Sequence, residues 1–140
     1  NARLGLGYGI RYYDSKQNAY DANRTYFTSG YYDFIEHRIS PSLSFYLNPG
    51  KTSLLSLWWD TAVTKYSSRK AQNIEGNYGD NNLSQLSNSF GVWLKYPVYK
   101  QLSLRAQASY LMSSSNTKYE RVYRYNYDVV NYFLGFGWEM

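Results

Sequence analysis

The stretch Ala2-Arg3-Leu4-Gly5-Leu6-Gly7-Tyr8-Gly9-Ile10-Arg11-Tyr12 carries an apolar side chain at every even position and Arg or Gly at every odd one. Successive side chains of a strand point to opposite faces, so this alternation reads as a strand with one apolar and one polar face. The pattern recurs five times along the chain. Over about Phe34 to Leu47, Ile39, Leu43, Phe45 and Leu47 oppose Glu36, Arg38, Ser40, Ser42, Ser44 and Tyr46. Leu55, Leu57, Trp59, Thr61 and Val63 then oppose Ser56, Trp58, Asp60, Thr64 and Tyr66, and Phe90, Val92, Leu94, Tyr96 and Val98 oppose Ser89, Gly91, Trp93 and Lys95. In the fifth strand Leu102, Leu104, Ala106, Ala108, Tyr110 and Met112 oppose Ser103, Arg105, Gln107 and Ser109, with Leu111 out of step. In the sixth, Val130, Tyr132, Leu134, Phe136, Trp138 and Met140 oppose Asn131, Gly135, Gly137 and Glu139, with Phe133 out of step. No helical period competes, and the fold class is all-β.

Working outward from the strands, the connections alternate in length. Short turns fall at Asn48-Pro49-Gly50-Lys51 and around Tyr99-Lys100-Gln101, with the residue types that tight turns require. The remaining connections read as long polar segments, roughly Asp14 to Asp33, Ser67 to Leu86 and Ser113 to Asp128. In an up-and-down order, all three lie on one edge of the sheet and both short turns on the other. The segment Arg24 to Tyr32 looks extended without a clean apolar face, and reads as a prolongation of the first hairpin.

Composition narrows the class further. A chain of 140 residues supports a single domain, residues 1–140, and no linker divides it. With no Cys and one His, His37, most thiol, metal and His-dependent chemistry is excluded. Aromatic residues make up 20% of the chain, 18 of them Tyr, which is too much ring surface for a disordered segment. No run approaches the roughly 18 apolar residues of a membrane helix, a test that membrane strands escape. The first residues form no basic-then-apolar leader, so a mature or trimmed chain is expected.

Four features point to a membrane-spanning sheet. Each strand offers about ten alternating residues, enough to cross the hydrocarbon layer at a tilt, whereas soluble strands average about five or six. The polar face mixes Arg3, Arg11, Arg38, Lys95 and Arg105 with Glu36, Asp60, Glu139 and many Gly and Ser, as a wet lumen would. Aromatics on the apolar face read as two interfacial girdles: Phe45, Tyr96 and Trp138 toward the turn edge, and Tyr12, Tyr110 and Tyr132 toward the other. Short turns opposite long loops complete the pattern.

The last ten residues, Asn131-Tyr132-Phe133-Leu134-Gly135-Phe136-Gly137-Trp138-Glu139-Met140, resemble the C-terminal insertion signal of Gram-negative outer-membrane β-barrel proteins. Gly135, Trp138 and Met140 match its spacing. The resemblance implies an antiparallel up-and-down transmembrane β-barrel in the bacterial outer membrane, with the lipid bilayer and the barrel-assembly machinery as partners. Six strands are too few for a single-chain barrel, which starts at eight, and every backbone polar group in lipid needs a partner. The favoured expectation is that these are the C-terminal strands of a larger barrel; two hidden strands or closure with other chains are the alternatives.

The lumen-lining candidates are Arg3, Arg11, Glu36, Arg38, Asp60, Lys95, Arg105 and Gln107. Their basic excess would favour anionic solutes or acidic polysaccharide, although Arg38 could instead be neutralised by Glu36 or Asp60. His37 and Ser40 have odd separation, so they face opposite sides and form no hydrolase pair. Asn73 to Asn82 holds oxygen ligands without the spacing of a calcium loop and reads as a solvated external loop. Tyr119, Tyr123, Tyr125 and Tyr127, interleaved with Arg121 and Arg124, suggest a stacking surface or else a Tyr-rich hairpin. The sequence thus points to a non-enzymatic pore or transport wall with no cofactor, no metal and no nucleic-acid partner. A non-conducting anchored barrel with Tyr-rich binding loops, and a soluble all-β carbohydrate-binding domain, are the competing readings.

Overall fold

The computed structural model describes residues 2–21, 25–50, 52–121 and 123–138. Every regular element among them is a strand: β1 (Ala2–Tyr13), β2 (Ala19–Asp21), β3 (Tyr26–Thr28), β4 (Phe34–Tyr46), β5 (Leu54–Gln72), β6 (Tyr78–Tyr99), β7 (Leu102–Ser115) and β8 (Tyr127–Trp138). Six of them form one antiparallel sheet in the order β1-β4-β5-β6-β7-β8. The fold is therefore all-β and up-and-down, as the alternation predicts, and the sheet is not closed. Among the described residues β1 and β8 each pair along one side only.

Register carries the alternation coherently across the sheet. Leu4 opposes Leu43, Leu43 opposes Leu57, Leu57 opposes Val92, Val92 opposes Ala108 and Ala108 opposes Tyr132. The neighbouring row, Arg3-Ser44-Ser56-Trp93-Gln107-Phe133, lies on the opposite face. A slip of one residue at any ladder would exchange these faces. Among the described residues no second layer lies against the apolar face: Leu4 is 80% exposed, Leu6 77%, Leu134 72% and Tyr132 87%. A transverse groove of about 690 Å³ crosses it, between a row with Leu43, Leu57 and Val92 and a row with Trp59, Phe90 and Tyr110. Apolar area stabilises only when it leaves water, so this face contributes to stability through whatever covers it.

The connections differ from the expected loops in two places. Ser67 to Leu86 is not a long polar segment but the outer part of a β5–β6 hairpin whose strands run 19 and 22 residues. Asn73 closes it: its Oδ1 accepts the Glu75 and Asn77 N–H groups at 3.0 and 2.9 Å, and Gly76 takes φ 93°. The outer stretch shows no apolar alternation to reveal it, and register shifts between Lys65 and Gln72 break the parity. In the first connection β2 and β3 form a two-stranded sheet of their own and do not prolong the β1–β4 ladder. Part of that connection lies outside the described residues.

The segment 116–126 packs back against the outer hairpin. Lys118 N–H donates to the Gln72 carbonyl at 2.7 Å, Gln72 N–H to Thr117 Oγ1 at 2.7 Å, and Ser84 N–H to Asn116 Oδ1 at 2.9 Å. Leu83, Ala71 and Tyr125, three of the buried hydrophobic residues, belong to this outer assembly.

At the opposite edge, Asn48 Oδ1 accepts the Thr52 and Ser53 N–H groups, both at 3.0 Å, and Asn48 Nδ2 donates to Thr52 Oγ1 at 2.6 Å. Asn48→Ala removes all three bonds, and we expect a loss of about 1 kcal/mol, read as a lower urea midpoint with unchanged slope. An unchanged midpoint would mean that the Asn48 bonds do not hold the turn.

Candidate functional site

All the charged and amide residues singled out for a lumen share the polar face. Arg3 and Arg11 lie on β1, Glu36 and Arg38 on β4, Asp60 on β5, Lys95 on β6, and Arg105 and Gln107 on β7. The ladders give them the same parity. Glu36 is the hub of the outer half. Its carboxylate accepts Arg11 Nη2 at 3.0 Å, Arg38 Nη2 at 3.4 Å and Thr64 Oγ1 at 3.3 Å, and the residue is only 8% exposed. One carboxylate thus serves two guanidinium groups, which offsets its desolvation and makes Glu36 the partner of Arg38. Arg11 also stacks over Phe34, 5.1 Å from the ring centroid. Asp60 is held by the hydroxyl of Ser40.

The inner half is arranged differently. Lys95 directly opposes Arg105, and Arg105 opposes Gly135. A Cβ on Gly137 would run into the Arg105 guanidinium, so the absent side chain there makes room for it. Lys95, Lys100, Tyr46 and Ser103 line a notch of about 300 Å³ between the two short turns. Lys100 turns the chain there with φ 44°.

The aromatic residues assigned to girdles, Tyr12, Phe45, Tyr96, Tyr110, Tyr132 and Trp138, occupy apolar-face positions. Tyr110 and Tyr132 sit in the rows of Phe90 and Val92, deeper along the sheet than Tyr12. Of the terminal motif, Gly135 has the Phe133 ring beside it and Trp138 is 65% exposed; Met140 lies outside the described residues, as does Glu139. His37 and Ser40 face opposite sides, and His37 Nδ1 takes a 2.8 Å bond with the Tyr8 hydroxyl.

The Tyr-rich segment is not one open stacking surface. Tyr125 is buried with its hydroxyl bonded to Arg69, Tyr119 lies beside Gly76, and Tyr123 packs on Tyr125 with ring centroids 4.7 Å apart. Arg69 stacks over Tyr31, Tyr66 and Tyr125 at 4.8, 5.6 and 5.2 Å, tying three connections together. It lies within the first register shift of β5, between Lys65 and Lys70, and no sequence pattern marks it. Ser113, a polar-face residue of β7, donates to the Tyr125 carbonyl at 3.0 Å, which draws this segment over the outer end of the polar face. Among the described residues no group of three or more His, Asp or Glu side chains forms a metal site.

Trp58 and Trp93, which carry no role in the sequence pattern, also take polar-face positions. The Trp58 indole lies over Gly91, filling the space a Cβ would take. Comparisons with protein-family models, with curated proteins and with solved structures return no match, so the geometry alone carries the functional reading.

Glu120 clasps the segment: its Oε1 accepts the Asn126 N–H at 2.8 Å and the Asn126 amide at 2.6 Å. The backbone N–H bond first, then the side-chain amide, Arg124 and Lys118 lower its pKa below the ordinary glutamate value. A lowered folded-state value means that the clasp contributes fully above the ordinary pKa and is lost as pH falls through the folded one. Protection of the Asn126 amide against hydrogen exchange should therefore be lower at about pH 3 than at about pH 7. Glu120→Gln should flatten that dependence; an unflattened profile would refute the clasp.

Proposed function

We propose that this chain forms part of the wall of an outer-membrane β-barrel, with its apolar face against lipid and its polar face toward an aqueous lumen that passes or holds anionic solutes. The observation that carries this reading is a single antiparallel sheet whose apolar face is exposed or half-exposed among the described residues, set against an opposite face that buries an ion-paired Glu36. Contiguous apolar patches beyond a few hundred Å² mark interaction or membrane surfaces. A soluble sandwich would place a second layer over that face. β1, β4, β7 and β8 run 12 to 14 residues, long enough to cross hydrocarbon when tilted.

The edges of β1 and β8 require strand partners in lipid, and the reading supplies them as further strands of the same protein. The wall does no covalent chemistry in this reading. Selectivity rests on the field set by the excess of Arg3, Arg11, Arg38, Lys95 and Arg105 over Glu36, Asp60 and Glu139.

A second reading has one observation in its favour. Segment 116–126 is bonded over the outer end of the polar face through Tyr125, Arg69 and Ser113, as suits a sealed barrel that anchors a binding surface. Ion conductance of the purified protein in planar bilayers supports the pore; a barrel that stays silent supports the anchor.

The decisive test is gel migration of native protein from cell envelopes, unboiled against boiled. We expect a heat-dependent shift and a boiled mass well above the 16.4 kDa of these residues. A water-soluble protein without a shift would end the membrane reading.

Face assignment is tested separately. Leu104 lies on the apolar face opposite Tyr96 and Phe136, and Gln107 on the polar face opposite Trp93 and Phe133. Leu104→Arg should cost about 2 to 4 kcal/mol on the lipid face and reduce the heat-modifiable fraction. Gln107→Arg should leave that fraction near wild type, and equal losses would refute the assignment.

A further inference from the structure

Away from the strand ends the polar face is built mainly of Gly, Ser and charged residues, yet on β5 to β8 it carries two tryptophans and a phenylalanine. Trp93 opposes Gln107, which opposes Phe133, so three adjacent strands place aromatic, amide and aromatic side chains in one row. Trp58 stands in the next row, opposite Gly91, whose missing side chain leaves room for the indole. That row continues through Ser109 to Asn131. Diagonal neighbours across a ladder are about 7–8 Å apart and strands about 4.8 Å apart, a spacing on the scale of successive sugar rings.

Aromatic side chains that are not sealed in a core, interleaved with amides and hydroxyls, match the makeup of a site for an amphipathic ligand. The flat C–H face of a pyranose meets an aromatic ring, while its hydroxyls exchange water for Gln107, Asn131 and Ser109. Arg3 ends the Trp93 row at the far edge of the sheet, and Lys95 and Arg105 lie one row beyond it toward the short turns. The alternation gives the polar face five basic side chains, Arg3, Arg11, Arg38, Lys95 and Arg105, against Glu36, Asp60 and Glu139, and the field of that excess favours carboxylates. The Gly91 seat shows that the lane is built into the backbone: an indole at Trp58 and any larger residue at Gly91 exclude one another.

We propose that Trp58, Trp93 and Phe133, with Gln107 and Asn131, form a binding lane for an oligosaccharide that carries carboxylate groups. The proposal deepens the lumen reading and rests on it for the route by which the sugar reaches the lane.

The test is a tryptophan-fluorescence titration of the native, detergent-purified full-length protein with a galacturonate oligosaccharide, alongside a neutral malto-oligosaccharide of equal length. Saturable quenching by the acidic sugar is expected. Trp93→Ala should weaken it roughly tenfold, the scale of one lost stacking partner, with Trp93→Phe restoring most of the affinity. Gly91→Ala, which displaces the Trp58 indole without removing it, should weaken binding in the same direction. Heat-modifiable migration, followed on every variant, separates loss of the lane from loss of the fold. Unchanged affinity in folded Trp93→Ala and Gly91→Ala, or no binding to the wild-type barrel, overturns the lane. Equal affinity for the neutral sugar overturns the acidic assignment. A soluble protein with no heat shift that still binds the acidic sugar through Trp93 would sustain the lane and overturn the membrane reading alone.

Discussion

The backbone ladder is the constraint from which the rest of this protein follows. Each strand must find hydrogen-bond partners for its N–H and C=O groups, and an antiparallel sheet supplies them while sending side chains alternately to two faces. Among the described residues no second layer covers the sheet, so its apolar face is left to whatever surrounds the protein. Every side chain is then sorted by parity: Leu4, Leu57 and Leu134 to one side, Arg3, Ser56 and Gly135 to the other. Among the described residues the ladder leaves β1 and β8 each paired along one side alone.

Charge on the polar face is managed unevenly along its length. In the outer half Glu36 draws in Arg11, Arg38 and Thr64, so two cations share one buried carboxylate. Toward the short turns Lys95 and Arg105 stand directly opposite one another, and the positive field concentrates there. The same face carries its aromatic side chains on β5 to β8, next to that field. Segment 116–126 lies over the other end, tied down by Arg69, Ser113 and the Glu120 clasp. A lumen bounded in this way would have an inner end open to anions and an outer end under the control of a folded connection.

Much of the fold was legible by counting in twos. All six principal strands and both short turns follow from alternation and turn chemistry, because each strand separates two unlike environments. The outer part of the β5–β6 hairpin was not legible, since its Ser- and Asn-rich strands show no apolar alternation and carry a register shift at Lys70. Arg69 was invisible for the same reason, and the Glu120–Asn126 clasp fits no local motif. Trp58 and Trp93 were assigned the correct face by parity, but the meaning of Trp58 depends on Gly91, 33 positions away along the chain and directly opposite in the sheet.

The sequence by itself determined the six principal strands and which face their alternating side chains take, since both are consequences of local chain geometry that repeats every two residues. Tertiary structure alone decided which rows form. Register joins Arg3 to Phe133 through four intervening strands, seats an indole over a glycine, and brings Tyr31, Tyr66 and Tyr125 around Arg69. Those juxtapositions depend on pairing between segments far apart in the chain, where a slip of two residues preserves every face and changes every neighbour.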